Sequence, residues 1–424
     1  MGRNLRQPLR QTLRAFGVLA VPDTGWPAPS EGGLLLSCHD VDRGMRDEAG
    51  RRFSPLLAGI GHLAARGRAA HHLAHPWTAL PSREVTPSTL MLNRRMLRAR
   101  LRAWLERRPG ARLVREAAIY RRLLQTLRPA FAFAIQPPAG LCVAARECGV
   151  PLAEVMHGTH VSLSDRIWAD YFGRPETQVA PLVISFDDVT HASVSTWAQG
   201  RDIRTVRARD PWLLTCRHLG RRGQGGGLPG RRERRALVTL QWGYDGERAA
   251  FTGIVPDGVL HPALAQAFAA GAQRGWNFLV RLHPIQMTAP GYRHHRNRIA
   301  ALAAQLPNVE MTQATSWPLP LLLDEVAAHV TMCSSAVGEA SAAGVRSLAL
   351  CPTLLPGGAH EDLFRELRDA GTVTLGHLDA GDILTWLDRC SPPPPRDTAA
   401  DEREHEDALR FYERLLAHPT EAGT

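Results

Sequence analysis

Between Trp276 and Gly344 the chain twice sets an apolar run of strand type against an abrupt polar turn, and this stretch constrains the fold more than any other. Phe278-Leu-Val-Arg-Leu-His-Pro-Ile-Gln286 stops at Pro284 and presents His283 at its end. Ala328-His-Val-Thr-Met-Cys-Ser-Ser-Ala-Val-Gly-Glu-Ala-Ser-Ala-Ala-Gly344 turns through Ser334-Ser335 into a helix of small residues. Continuous apolar strands alternating with helices belong to a parallel α/β sheet. In such a sheet ligands sit at the carboxyl ends of the strands, so both turns are expected to face one site.

The chemistry these turns suggest is phosphate handling. A helix beginning near Ser335 leaves its first backbone N–H groups without intrahelical partners and carries partial positive charge there, which favours an anion. Two adjacent hydroxyls add donors, and His283 adds one more or supplies a proton. Glu339, one turn beyond Ser335, falls on the same helix face and can accept hydrogen bonds from a ribose diol. The residues from Ala340 to Gly344 keep the helix slim enough for close approach. Each piece taken alone reads equally well as ordinary structure, with Ser334 as an N-cap and His283-Pro284 as a strand end.

In the first half, Leu34-Leu-Leu-Ser-Cys38 reads as a buried strand ending in His39-Asp40-Val-Asp42-Arg43. Paired carboxylates beside a histidine suit a metal site or a general base. Equally, Asp40 caps the following segment and Asp42 pairs with Arg43. The string has a likeness to polysaccharide deacetylases that ends there, because their downstream histidine motif is not evident. His71 and His75 have helical metal-pair spacing but no carboxylate partner, and they are expected at the surface. Residues 90–127 alternate arginine and leucine at helical period, broken at Pro109-Gly110, and predict two helices with a charged outer face. Phe131-Ala-Phe-Ala-Ile135, a helix over Leu141 to Cys148, and Leu152-Ala-Glu-Val-Met156 make a βαβ unit that delivers His157-Gly158 to a strand end. Gly158 would there remove bulk where a substrate approaches. Leu182 to Phe186 is a further strand, with Asp187-Asp188 at its end as helix-capping residues, the alternative being cleft acids.

Residues 220–235, rich in glycine and arginine, form the clearest linker. They separate an N-terminal domain, residues 1–219, from a C-terminal one, residues 236–391, followed by a proline-rich segment and a charged terminal helix within 392–424 that is expected to pack back on the first domain. The second half opens with the strand Ala236 to Leu240 and the turn Gln241-Trp242-Gly243. Helices are expected over residues 262–270 and 293–306, the latter with solvated His294 and His295.

Taken together, His283-Pro284, Ser334-Ser335 and Glu154-Val-Met-His157-Gly158 resemble the short motifs of GT-B glycosyltransferases of the bacterial surface-polysaccharide type. The likeness is to sialyltransferases and Kdo transferases and to the teichoic-acid glycerophosphotransferases. That resemblance implies an α/β chain of two Rossmann-like αβα domains facing a cleft, with a nucleotide-sugar donor, CMP-linked among the candidates, and a carbohydrate or glycolipid acceptor. It further implies donor contacts from His283, Pro284, Ser334, Ser335, Glu339, Arg281, Gln241 and Gly243. The catalytic base would be His157, with Asp40 or Glu154 in reserve, and Gly158 and Asp42 would lie on the acceptor side. Transfer of a polyol phosphate from a CDP-linked donor, or a non-catalytic binding role, are the rival readings. Two departures stand out: no Asp/Glu-Asp/Glu-Gly motif is evident, and Met156 stands where glutamine commonly precedes the His-Gly.

No DxD motif appears near the donor half, so neither a metal nor another cofactor is expected. All 51 basic residues are arginine and the formal charge is +10, which suits anionic partners. Without an RNP, zinc-finger or basic-zipper pattern, nucleic acid is not among them. Seven cysteines without a CxxC pair predict free thiols in a reducing, cytoplasmic setting. There is no apolar run long enough to span a membrane. Residues 1–20 place arginines at helical spacing among leucines, so they read as a solvated first helix or as a peripheral contact with the inner, anionic membrane face.

Overall fold

The computed structural model describes residues 21–163, 168–220, 228–244, 249–394 and 396–419. The basic N-terminal segment and residues 221–227 of the expected linker lie outside them. Two compact units divide the chain: one comprises the residues up to His157, Asp170–Trp212 and those from Glu406 on, the other Gly158–Ala169 and Leu213–His405. The terminal helix Thr398–Ala417 thus ends in the N-terminal unit, where Tyr412 is fully buried and meets Phe133 edge-on at 6.0 Å.

The N-terminal unit is built on six parallel strands: β1 (Leu34–Cys38), β4 (Ala70–Ala74), β5 (Phe131–Ala134), β6 (Leu152–Val155), β7 (Leu182–Ser185) and β8 (Arg204–Arg207). Their order is β4-β1-β5-β6-β7-β8, and a small antiparallel pair, β2 (Met45–Arg46) with β3 (Arg52–Phe53), stands apart. Strands β1, β5, β6 and β7 are buried along their whole length, as continuous apolar runs covered on both faces must be. β4 corrects the sequence reading. Residues 70–74 are a strand paired in register with β1, and His75 just beyond is buried, not the surface group expected. The helix Ala111–Leu127 buries Ala117, Tyr120, Leu124 and Leu127, the 3.6-residue stripe its sequence carries. Its partner Asn93–Glu106 departs from expectation, because Leu101, Trp104 and Leu105 share a face turned to solvent rather than to the core.

In the C-terminal unit the strands are β9 (Arg235–Thr239), β10 (Asn277–Arg281), β11 (Val309–Glu310), β12 (Ala328–Thr331), β13 (Ser347–Ala349) and β14 (Val373–Leu375). They are again all parallel, in the order β11-β10-β9-β12-β13-β14. This is the doubly wound order of dinucleotide-binding sheets, with the connections reversing direction between β9 and β12. In the N-terminal unit the reversal falls between β1 and β5. Each sheet therefore opens a crevice at the carboxyl ends of those two central strands. The central strands of the second sheet are also tied by His329. Its imidazole, fully buried, bridges the Thr239 hydroxyl at 2.8 Å and the Ser347 hydroxyl at 2.9 Å.

The C-terminal part of the expected linker is anchored. Arg235 opens β9, and its guanidinium donates to the carbonyls of Leu228, Pro229 and Gly230 and pairs with Glu325 at 2.9 Å. Residues 228–235 are therefore a fixed turn, because a buried guanidinium needs just such a set of acceptors.

Candidate functional site

In the C-terminal unit, β9 ends in Leu240-Gln241-Trp242-Gly243 at the reversal point. Gly243 has φ 98°, a left-handed conformation that glycine adopts without strain. Gln241 joins the strands on either side. Its side-chain carbonyl accepts from the Cys333 amide at 3.1 Å, immediately before Ser334, while its backbone carbonyl accepts from Gln286 Nε2 at 3.4 Å. Gln286 in turn caps the turn that holds His283, its Oε1 accepting from the His283 amide at 2.8 Å. Gln286 also donates to Nδ1 of His295 at 2.9 Å. Both are fully buried, so His295 is a brace of this turn and not the solvated residue its sequence suggested.

His283 is the N-cap of the short helix Pro284–Thr288, and its Nδ1 accepts from the Ile285 amide at 3.2 Å. An acceptor at Nδ1 places the proton of the neutral ring on Nε2, which makes the imidazole an N–H donor. The Trp242 ring lies 6.3 Å from it. Arg281 serves a different end, donating to the carbonyls of Ala314 at 2.7 Å and Trp317 at 2.6 Å and so fixing the loop after β11. Burial lowers its pKa to about 10, with the charge of Glu339 acting in the opposite sense. That electrostatic link puts Glu339, on the helix after β12, within reach of the end of β10.

The helix Ala336–Ala342 differs from expectation at its start. Ser334 Oγ accepts from the Ala336 amide at 3.2 Å, and the Val337 and Gly338 amides bond to the carbonyls of Ser334 and Ser335. Those three N–H groups are thus satisfied within the turn, and at seven residues the helix carries a small dipole. Any anion-binding capacity then rests on side chains, with Ser334 half-buried and Ser335 exposed.

Residues 158–163 belong to this unit, and Thr159 and His160 lie against that helix. Thr159 Oγ1 donates to the Ser335 carbonyl at 3.1 Å. A methyl group on Gly338 would stand 2.6 Å from Thr159 Oγ1 and 2.8 Å from the His160 ring, so glycine permits the contact. His160 is itself held at φ 55°, a conformation costing a non-glycine residue about 1 kcal/mol or more, and its buried Nδ1 has no partner among the described residues. The sequence reading passed over His160. Its one signal was the spacing His157-Gly-Thr-His160. Gly158 also has a different reason from the one expected, since a Cβ there would lie 2.4 Å from the Trp168 ring.

In the N-terminal unit, His39 follows β1 and repeats the capping geometry of His283: Nδ1 accepts from the Val41 amide at 3.4 Å and Asp42 accepts from the His39 amide at 3.0 Å. Asp40 pins another loop, accepting from the Thr78 hydroxyl and from the amides of Ala79 at 2.6 Å and Leu80 at 3.3 Å. Asp42 is half-buried and burial raises its carboxyl to about 6, the His39 amide and nearby cations opposing. Glu154 lies wholly under the surface, where burial raises it to about 7 against the pull of Arg174, 3.9 Å away, and of Tyr171. His157 reaches solvent, but the protein packed around it, and then the Arg174 charge, depress its imidazole to about 4.

No known family model matches the sequence, and no curated protein matches it. Solved structures do match. The UDP-N-acetylglucosamine 2-epimerase from Rickettsia bellii superposes with TM-score 0.53 at 9% identity, covering 91% of this chain and 96% of its own. The UDP-GlcNAc 2-epimerase from Methanocaldococcus jannaschii gives 0.50 at 9%, covering 91% and 99%. A putative UDP-N-acetylglucosamine 2-epimerase from Listeria monocytogenes gives 0.50 at 13%, covering 92% and 98%. These likenesses establish the fold: two Rossmann-like domains of the GT-B type.

The Gln241 bridge generates a prediction. In Gln241→Ala the Cys333 amide loses its acceptor, a loss of about 1–3 kcal/mol for a buried group. Amide exchange at Cys333 should therefore accelerate at least ~10-fold while Val330, in the strand interior, stays as slow as in the native protein. Equal exchange at Cys333 in the two proteins would count against the bridge.

Proposed function

We propose that the protein is a glycosyltransferase that moves a sugar from a nucleotide-linked donor to a surface-polysaccharide or glycolipid acceptor, without a metal ion. The observation that carries this reading is the Gln241 bridge, which sets the His283 turn and the Ser334-Ser335 turn side by side at the reversal point of the C-terminal sheet. There the Nε2–H of His283 and the Ser335 hydroxyl would hold the donor phosphate and stabilise it as it departs. Glu339 would take the ribose diol. The epimerase structures share the fold and lend support to a nucleotide-sugar as the ligand.

For the base, the raised carboxyl of Asp42 is better matched to neutral pH than the depressed imidazole of His157. Asp40 is engaged by the Thr78–Leu80 loop and Glu154 is enclosed. Activity needs the ionised base, so it should fall as pH drops through the base's pKa: about 6 for Asp42, about 4 for His157, about 7 for Glu154. The experiment is transfer from CMP-, CDP-, UDP- and GDP-linked donors in the presence of EDTA, followed by the pH profile of kcat. Expected are one active donor, an acid limb near the Asp42 value that vanishes with activity in Asp42→Asn, and weakened donor binding in His283→Ala. A phosphodiester product would assign polyol-phosphate transfer instead. Epimerised donor without transfer, or no nucleotide bound at all, would overturn the reading.

The same reading includes a peripheral membrane contact, now supported by the N-terminal unit. Leu101, Trp104 and Leu105 are 53%, 71% and 70% exposed on one helix face, with exposed Arg98, Arg102 and Arg108 around them. Apolar side chains rimmed by arginine are suited to the interface of an anionic bilayer. None of the described helices is long and apolar enough to cross one. The protein should cosediment with vesicles containing phosphatidylglycerol and much less with phosphatidylcholine alone, and Trp104→Glu/Leu105→Glu should remove the difference. Equal sedimentation of native and variant protein would exclude this face.

A further inference from the structure

Arg43 follows β1 by five residues and is 2% exposed. Among the described residues nothing accepts a hydrogen bond from its Nε or Nη2, and no carboxylate forms an ion pair with it. Guanidinium does not give up its proton in a protein, so a buried one stays charged. Leaving such a charge uncompensated costs several kcal/mol.

The surroundings do little to compensate it. Asp42 is near enough to feel its charge, but that carboxylate accepts from the His39 amide and is itself raised by burial. Asp40 is committed to the Thr78–Leu80 loop. The other neighbours are neutral or positive. Burial pushes the Cys38 thiol up to about 12 and His72 down to about 4. His75, at the end of β4, is 7% exposed with its Nε2 unpartnered; burial, then His39, Arg43 and Arg174, hold it well below its ordinary value. The His39 and His75 rings are 6.2 Å apart. The charges of Arg43 and of Arg174, which also pairs with Glu154 at 3.9 Å, both act on His75, at the end of the strand next to β1 and so close to the reversal point where a sheet of this kind takes its ligand.

We propose that Arg43, His75 and Arg174, with His39 at the rim, form a binding site for an oxyanion, a phosphate or carboxylate group. A planar guanidinium offers such a group paired N–H donors, and the imidazole Nε2 adds a third. If the N-terminal unit takes the acceptor, as the transferase reading holds, the anion is a charged group of that acceptor. The site itself depends only on the side chains named.

Thermal unfolding of the full chain, with inorganic phosphate and acetate as separate probes and chloride at matched ionic strength as the control, tests the site. A saturable rise in Tm with either oxyanion is expected, and the more effective probe identifies the class. Arg43→Met should reduce the affinity at least tenfold, yet melt no lower than the native protein in plain buffer, because it removes an unpaired buried charge. Arg43→Lys, which keeps the charge, should retain part of the response. His283→Ala should retain all of it, separating this site from any phosphate held in the C-terminal unit. No response to either probe, or an undiminished response in Arg43→Met, overturns the proposal. So does a fall in Tm for Arg43→Met without loss of anion affinity, which would mark Arg43 as a packing residue. Nucleotide binding, measured alongside, reports on the donor reading alone: its absence from the native protein would defeat that reading and leave this one standing.

Discussion

Two hydrogen bonds from a single glutamine set the geometry on which the functional reading rests. Gln241 stands where the second sheet reverses direction, and parallel strands that diverge there share no ladder beyond their last paired residues. Its side-chain carbonyl holds the start of the Cys333-Ser334-Ser335 turn and its backbone carbonyl holds the Gln286 side chain that shapes the His283 turn. Behind Gln286 stands His295, buried and bonded. A chain of this kind fixes the positions of two polar turns without placing a charge in the core, through hydrogen bonds that low dielectric strengthens.

The two units use histidine in the same way. His39 and His283 both follow a strand, both cap the turn with Nδ1, and both have an acceptor three residues later that takes their amide. The consequence is a fixed tautomer with the proton on Nε2. What differs is the charge around them. The guanidiniums next to the His283 turn, Arg281 and Arg296, are spent on backbone carbonyls, whereas at the end of the first sheet Arg43 has no acceptor for its Nε or Nη2 among the described residues and the charges of Arg43 and Arg174 both act on His75. Concentrated positive charge in a low-dielectric setting is costly in isolation and attractive to an anion.

Much of the fold was legible because strands such as Leu34–Cys38 and Phe131–Ala134 are apolar at every position and are flanked by turn residues. Strand β4 was not, since Ala-His-His-Leu-Ala mimics a helix surface and becomes a strand only by pairing with β1. The two polar turns could be found by their motifs, but not the state of their hydrogen bonds. That Ser334 caps its own helix and that Arg281 secures a loop depends on where carbonyls from distant segments fall. His295 and Arg43 are the sharper lessons. Both read as ordinary polar residues on a helix or after a strand, and burial alone gives them their roles. Likewise Leu101, Trp104 and Leu105 carry the period of a core-facing stripe and yet face solvent.

The central claim is that the His283 turn and the Ser334-Ser335 turn act as one binding surface. A double-mutant cycle on nucleotide affinity tests it most directly, using His283→Ala, Ser335→Ala and the pair. Groups that grip one phosphate should show a coupling of about 0.5 kcal/mol or more, whereas effects that add to within ~0.3 kcal/mol would mean that the two turns do not share a ligand.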